Sequence, residues 1–177
     1  MEINDYSLKV KGNSLIEGSN LHFYESTINH IVGKNGVGKS QLAKDFLLNI
    51  SGQITPEIQS NTTLISSSSN IPSDLSKEFL MKILKNKFDN HNKMFELSQM
   101  LNLEDIPNKI MIKNLSDGQK QKLKLFSFLM QDKNIIIFDE ITNALDKTTI
   151  NEIYSFINKF IAMHPSKVII NITHNLA

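Results

Sequence analysis

Gly33-Lys34-Asn35-Gly36-Val37-Gly38-Lys39-Ser40 decides how the rest of this 177-residue chain is read. The stretch has the spacing G-x-x-x-x-G-K-[ST], in which glycines let the backbone curl until several N–H groups face one phosphate. Its context agrees. Ser26 to Val32 reads as a short strand ending in an apolar pair, and Gln41 to Ile50 reads as a helix with Leu42, Phe46, Leu47 and Ile50 on one face. A helix there adds unsatisfied N–H groups and the positive end of its dipole. Lys39 is then placed to reach the β- and γ-phosphates, and the Ser40 hydroxyl to ligate Mg²⁺. The alternative is a glycine-rich turn that merely ends in Lys-Ser, and the flanking strand and helix count against it. The stretch implies a nucleoside triphosphate site.

The bulk properties narrow the class. The length suits one well-buried core with a smaller attached subdomain, and the 40% apolar content is that of a soluble globular protein. No run approaches the roughly 18–20 apolar residues of a membrane span, and the acidic, polar start Met1-Glu2-Ile3-Asn4-Asp5 is unlike a secretory signal. Without cysteine there are no disulfides or thiolate metal sites, which fits a reducing cytoplasm. A net charge of +1 gives no global attraction to nucleic acid or acidic lipid. All 19 basic residues are lysine. No arginine finger is therefore available from this chain to stabilise a transferring phosphate, and another device must do so.

Along the chain, residues 3–10 and 21–25 read as strands separated by the turn-rich Lys11-Gly12-Asn13 and Glu17-Gly18-Ser19-Asn20. With 27–32 they suggest a small antiparallel sheet ahead of the phosphate loop. Thr62 to Ile65 reads as a further strand, and Ser66 to Ser69 as a hinge between subdomains. Helical periodicity follows from Asp74 to Leu103, with Phe79, Leu80, Ile83 and Leu84 on one apolar face and Met94, Leu97, Met100 and Leu101 on another. Lys77, Lys82, Lys85, Lys87 and Lys93 alternate with Glu78, Asp89 and Glu96, the pattern of a solvated helix face rather than a nucleic-acid stripe. Leu115-Ser116-Asp117-Gly118-Gln119 opens a helix to about Gln131. The apolar run Asn134 to Phe138 suits a strand buried on both faces of a parallel sheet, ending in Asp139-Glu140. A helix from Lys147 to Met163 and a last strand, Lys167 to Ile172, complete an α/β alternation, with Thr173-His174 at its end. Ligand chemistry belongs at the carboxyl ends of such strands. There Asp139 can share a Mg²⁺ with Ser40, and Glu140 can act as the base that orients a water.

Taken together, the phosphate loop, Leu115 to Gln119, Ile135-Ile136-Ile137-Phe138-Asp139-Glu140, Asn143-Ala144-Leu145-Asp146 and Thr173-His174 resemble, in this order, the ATP-binding cassette (ABC) ATPases. The resemblance spans nearly the whole chain. It implies a P-loop NTPase fold of ABC type: one domain over 1–177, with a parallel core sheet, an N-terminal antiparallel β subdomain and a reduced helical subdomain inserted at about 73–131. It implies that two copies pair head to tail around ATP, each completing the phosphate loop of the other with Ser116, Gly118 and Gln119. That contact would remove the need for the missing arginine. Asp146 would couple the two sites, Gln41 would join the loop residues at the nucleotide, and His174 would contact the γ-phosphate and align Glu140. Asp117 replaces a glycine at the tolerant middle of the family's L-S-G-G-Q signature.

Three departures accompany the resemblance. Leu64-Ile65-Ser66-Ser67-Ser68-Ser69 lacks the glutamine usual at the end of that strand, which bears on hydrolysis rate. No aromatic is clearly placed to stack on adenine, Tyr6 being the candidate. The chain also ends three residues after His174, where relatives add helices. The function implied is the ATPase subunit of an ABC transporter, an exporter, at the inner face of the cell membrane beside a separate integral-membrane permease, with no nucleic acid involved. The alternatives are a soluble ABC ATPase acting on nucleic acid or ribosomes, and a low-turnover ATP-gated assembly module.

Overall fold

The computed structural model describes residues 1–174. Its central element is a parallel sheet of four strands, β3 (Ile28–Val32), β4 (Thr62–Ser66), β5 (Ile135–Asp139) and β6 (Val168–Thr173), in the order β3-β6-β5-β4. All five residues of β5 are buried, as its unbroken apolar run requires for a strand flanked on both edges. The register sets Val32 opposite Thr173, Ile172 opposite Asp139, and Asp139 opposite Ser66. Four strand ends therefore line one edge of the sheet, with the phosphate loop following Val32 directly.

β1 (Glu2–Val10) and β2 (Asn13–His22) form a separate antiparallel hairpin. Two expectations fail here. Residues 27–32 do not join that hairpin, because β3 takes its hydrogen bonds from β6 in parallel. Of the expected strand at 21–25, only Leu21 and His22 are strand, as the end of β2, which runs straight through Gly18; residues 23–25 lie outside it. That glycine takes a φ of +51° within a strand pair of shifted register, so it makes a bulge rather than a turn.

Cα proximity divides the chain into two compact units, the boundary falling between Ser67 and Ser68, inside the serine run. The first comprises Met1–Ser67, Lys133–Glu140 and the chain from Ile161. Its core packs Tyr6, Leu8 and Phe23 from the N-terminal segment with Leu42, Ala43 and Phe46 of α1 (Lys39–Leu48) and Ile135, Ile137, Ile170 and Ile172 of the sheet, and Ile58 of the short α2 (Pro56–Ser60) packs against it. The face expected for α1 is narrower than the pattern suggests: Leu47 and Ile50 are exposed, and the fully buried Asp45 takes a place on it. Asp45 Oδ2 accepts a 2.7 Å hydrogen bond from the Tyr6 hydroxyl and one of 2.6 Å from the Ser51 hydroxyl, while Oδ1 accepts the Ser51 N–H at 2.8 Å. Burial, with the Asp45 carboxylate beside it, pushes the Tyr6 phenol well above its ordinary pKa. Removing one donor from a buried carboxylate costs about 1–3 kcal/mol. Tyr6→Phe is accordingly expected to lower stability by about that amount in urea unfolding, and an unchanged midpoint would contradict the assignment.

The second unit comprises Ser68–Asp132 and Ile141–Phe160. It holds α3 (Lys77–Phe88), α4 (His91–Met100), α5 (Asp117–Leu129) and most of α6 (Lys147–Met163). On α3, Leu80 and Leu84 are buried but Phe79 and Ile83 are exposed; on α4 and just beyond it, Leu97 and Leu101 are buried. The solvated lysine face also needs correction. Lys77 is buried and donates to the carbonyls of Leu103 and Ile106, closing the short helical turn there. Burial lowers its pKa. Lys93 is buried too, paired with Asp132 at 2.5 Å. Alternating charge along a helix does not reveal which lysine meets a carbonyl or carboxylate distant in sequence.

Candidate active site

The phosphate loop leaves β3 at Gly33 and enters α1 at Gly38, whose φ of +104° makes it the helix's left-handed N-cap. A side chain there would be strained twice over, since an added Cβ would also lie 3.1 Å from Leu15. Lys39, only 8% exposed, bends back over the loop. Its ammonium donates to the Gly33 carbonyl at 2.6 Å and the Lys34 carbonyl at 2.9 Å, and lies 3.4 Å from His174 Nδ1. An ammonium only donates, so Nδ1 is the acceptor and the ring proton sits on Nε2. That nitrogen is 2.6 Å from Glu140 Oε1. Lys39, His174 and Glu140 thus form one hydrogen-bonded run of cation, imidazole and carboxylate.

Glu140 follows the last residue of β5 with a φ of +57°, and its N–H donates to the Ile172 carbonyl at 3.0 Å. A non-glycine residue held in that region marks a backbone over-determined by its surroundings, often at a functional site. Asp139 beside it is buried, and its Oδ1 has no hydrogen-bond partner. Burial raises its carboxyl pKa, opposed by a hydrogen bond from Ser40 and by the charges of Lys44 and Lys39. An orphaned, buried carboxylate oxygen next to a hydroxyl is the donor set that a hard divalent cation takes. Ser66, where a glutamine was expected, is buried and in register with Asp139.

Asn35, Gly36, Gly38, Lys39, Ser40, Gln41, Glu140 and His174 line part of a cleft of about 480 Å³, while the buried Asp139 and Ser66 are not among its lining residues. Its remaining wall is Val10, Lys11, Asn13 and Leu15, the tip of the β1–β2 hairpin, which pattern reading missed. The turn Lys11-Gly12 was legible; its meeting with Gly38 depends on the fold between them. Tyr6 is not available to a base, since it is fully buried and bonded to Asp45.

Ser116, Gly118, Gln119 and Asp146 lie in the second unit. Ser116 caps α5: its Oγ accepts the Gln119 N–H at 3.2 Å, and its own N–H donates to Gln119 Oε1 at 3.0 Å, a capping box. The Ser116 hydroxyl proton is not used by the cap. Asp146 caps α6, accepting the Thr149 N–H at 3.0 Å and the Thr149 hydroxyl at 2.6 Å.

A phosphate loop after β3, an imidazole after β6, and at the end of β5 a buried aspartate followed by a glutamate bound to that imidazole define a P-loop nucleoside triphosphatase. A family model described as "ABC transporter" matches residues 16–143. The chain belongs to that family: it is the ATP-binding, ATP-hydrolysing subunit of an ABC transporter. It is 61% identical over 178 positions to the Bacillus subtilis (strain 168) "Probable peptide export ATP-binding protein YydI", covering 100% of this chain and 84% of that protein. Solved structures with the same fold include CbiO1 of Clostridium perfringens, part of the ABC transporter complex CbiONQ, at TM-score 0.77 and 18% identity, over 98% of this chain and 78% of that one. A bacterial Atm1-family ABC exporter with ATP bound gives TM-score 0.76 at 17% identity, over 99% of this chain and 34% of that one. Among the described residues, no helix is long and apolar enough to cross a membrane.

Proposed function

We propose that this subunit powers export of a peptide through a separate integral-membrane permease, at the cytoplasmic face of the cell membrane, as a head-to-tail homodimer that closes around two ATP. The run Lys39–His174–Glu140 beside the orphaned Asp139 is the observation that carries the mechanism; the 61% identity to a protein named for peptide export supports the cargo. Gly33, Lys34, Asn35, Gly36, Val37 and Gly38 wrap the phosphates with backbone N–H groups, Gln41 lies at the same helix start, and Lys39 exchanges loop carbonyls for phosphate oxygens. Ser40 and Asp139 would hold a Mg²⁺, which when bound neutralises phosphate charge. Glu140 takes the proton of the attacking water. His174, by donating to Oε1, fixes the orientation of the Glu140 carboxylate.

The second copy supplies what a lysine-only chain lacks. Ser116 offers its hydroxyl proton and Gly118 its N–H at the start of α5 to the γ-phosphate on the partner's loop, while Gln119 holds Ser116 in place through the capping box. Asp146 links the two sites. Detergent extraction of membranes from cells producing the tagged subunit is expected to recover an integral-membrane protein with it. ATP turnover of that complex should rise with the exported peptide and stay unchanged on adding DNA or RNA. Recovery of the subunit with no membrane protein, or stimulation by nucleic acid, would contradict the transporter reading.

A further inference from the structure

Gly118 and Asp146 meet through one side chain, Thr149. A Cβ added to Gly118 would stand 2.8 Å from Thr149 Cγ2 and 2.9 Å from its Oγ1, far inside contact distance. Gly118 lies in the first turn of α5 with an ordinary helical backbone, so its conformation does not call for glycine. In a helix glycine is about 1 kcal/mol poorer than alanine. What the position calls for is room, and Thr149 takes that room. Thr149 is itself fixed, because both its N–H and its hydroxyl are spent on the Asp146 carboxylate. A β-branched side chain in a helix has few χ1 choices. With the oxygen held by Asp146, the methyl group fills the space beside Gly118.

We propose that Thr149 is a positioning residue of the ATPase reaction: it fixes the Asp146 carboxylate and, by its methyl group against Gly118, sets the N-terminus of α5, so that both segments offered to the partner's nucleotide move together. The proposal rests on the reading above, in which those segments serve a second copy's ATP. It assigns Gly118 a reason within its own chain, beyond any approach of phosphate.

The test uses ATP-dependent dimer formation in a Glu140→Gln background, followed by sedimentation. Binding of a fluorescent ATP analogue to the monomer and thermal unfolding serve as controls. Gly118→Ala is expected to raise the ATP concentration needed for dimer formation about 10-fold, as overpacking does, without changing analogue binding. Adding Thr149→Ala removes the atoms at 2.8 and 2.9 Å and leaves only Cβ at 3.5 Å, so the two losses should not add: the double variant should form dimer at the ATP concentration that Thr149→Ala alone requires. With Glu140 intact, Thr149→Val keeps the shape but loses the hydroxyl, and should lower kcat about 5- to 10-fold at nearly constant KM. Thr149→Ser, which keeps the hydroxyl, should restore most of the turnover. Losses that simply add in the double variant, or Val and Ser variants that behave alike, would overturn the proposal while leaving the dimer reading intact. Failure of Glu140→Gln itself to dimerise would remove the reading beneath it and the proposal with it.

Discussion

Glu140→Gln is expected to lower ATP turnover by about 10²–10⁴-fold, the usual worth of a positioned general base. The exchange is nearly isosteric and keeps an acceptor 2.6 Å from His174 Nε2, so the loop and its lysine should hold nucleotide as before. What is lost is the group that can take a proton from water. Nucleotide binding should then outlive hydrolysis, and phosphate release in single-turnover experiments should show the block at the chemical step. Retention of more than about a tenth of the wild-type rate would assign the base elsewhere. It would also leave the positive φ of Glu140 without a function.

The second large effect falls on binding. Lys39→Ala is expected to weaken ATP affinity by at least about 10²-fold, since each hydrogen bond to a charged group contributes about 1.5–3 kcal/mol and this ammonium makes several. The structure adds a reason beyond lost charge. The same ammonium ties the Gly33 and Lys34 carbonyls and lies beside His174 Nδ1, so its removal loosens the loop and releases the imidazole that orients Glu140. Equilibrium binding of a fluorescent nucleotide measures the first effect. Residual turnover at saturating ATP, expected to fall as well, measures the second. Unchanged affinity would mean that the loop does not hold the triphosphate.

Much of this site is written locally in the chain. Gly33 to Ser40 carries its own conformational instructions, and the apolar run into Asp139-Glu140 announces a buried strand whose end must face the ligand edge. The 3.6-residue period of α6 places that helix at Lys147–Met163, as the pattern predicts. What local pattern does not carry is partnership across distance. β3 reads as a companion of the strands before it, yet bonds β6, about 140 residues away. Tyr6 has the look of a base-stacking ring, but its hydroxyl is claimed by Asp45 on α1. Lys77 and Lys93 look solvated until the carbonyls and carboxylate they meet are known. Asp146 and Gly118 each fit a motif, whereas the threonine joining them fits none and is visible only in space.

The absence of arginine gains meaning in the same way. Within one chain, the positive charge at the loop comes from lysine alone, Lys34 and Lys39 within it and Lys44 on the helix that follows, and the other donors of the motif set, Ser116 and the start of α5, are neutral. A helix start that stabilises phosphate by N–H groups and dipole, as in the proposed dimer, needs no guanidinium.

Sedimentation of Glu140→Gln with and without ATP and Mg²⁺ decides whether each ATP is enclosed by two copies, as proposed. A species of twice the 20.1 kDa chain mass is expected, forming only with ATP and abolished by Lys39→Ala. A protein that stays at 20.1 kDa under saturating ATP, while wild-type turnover rises only in proportion to its concentration, would contradict it.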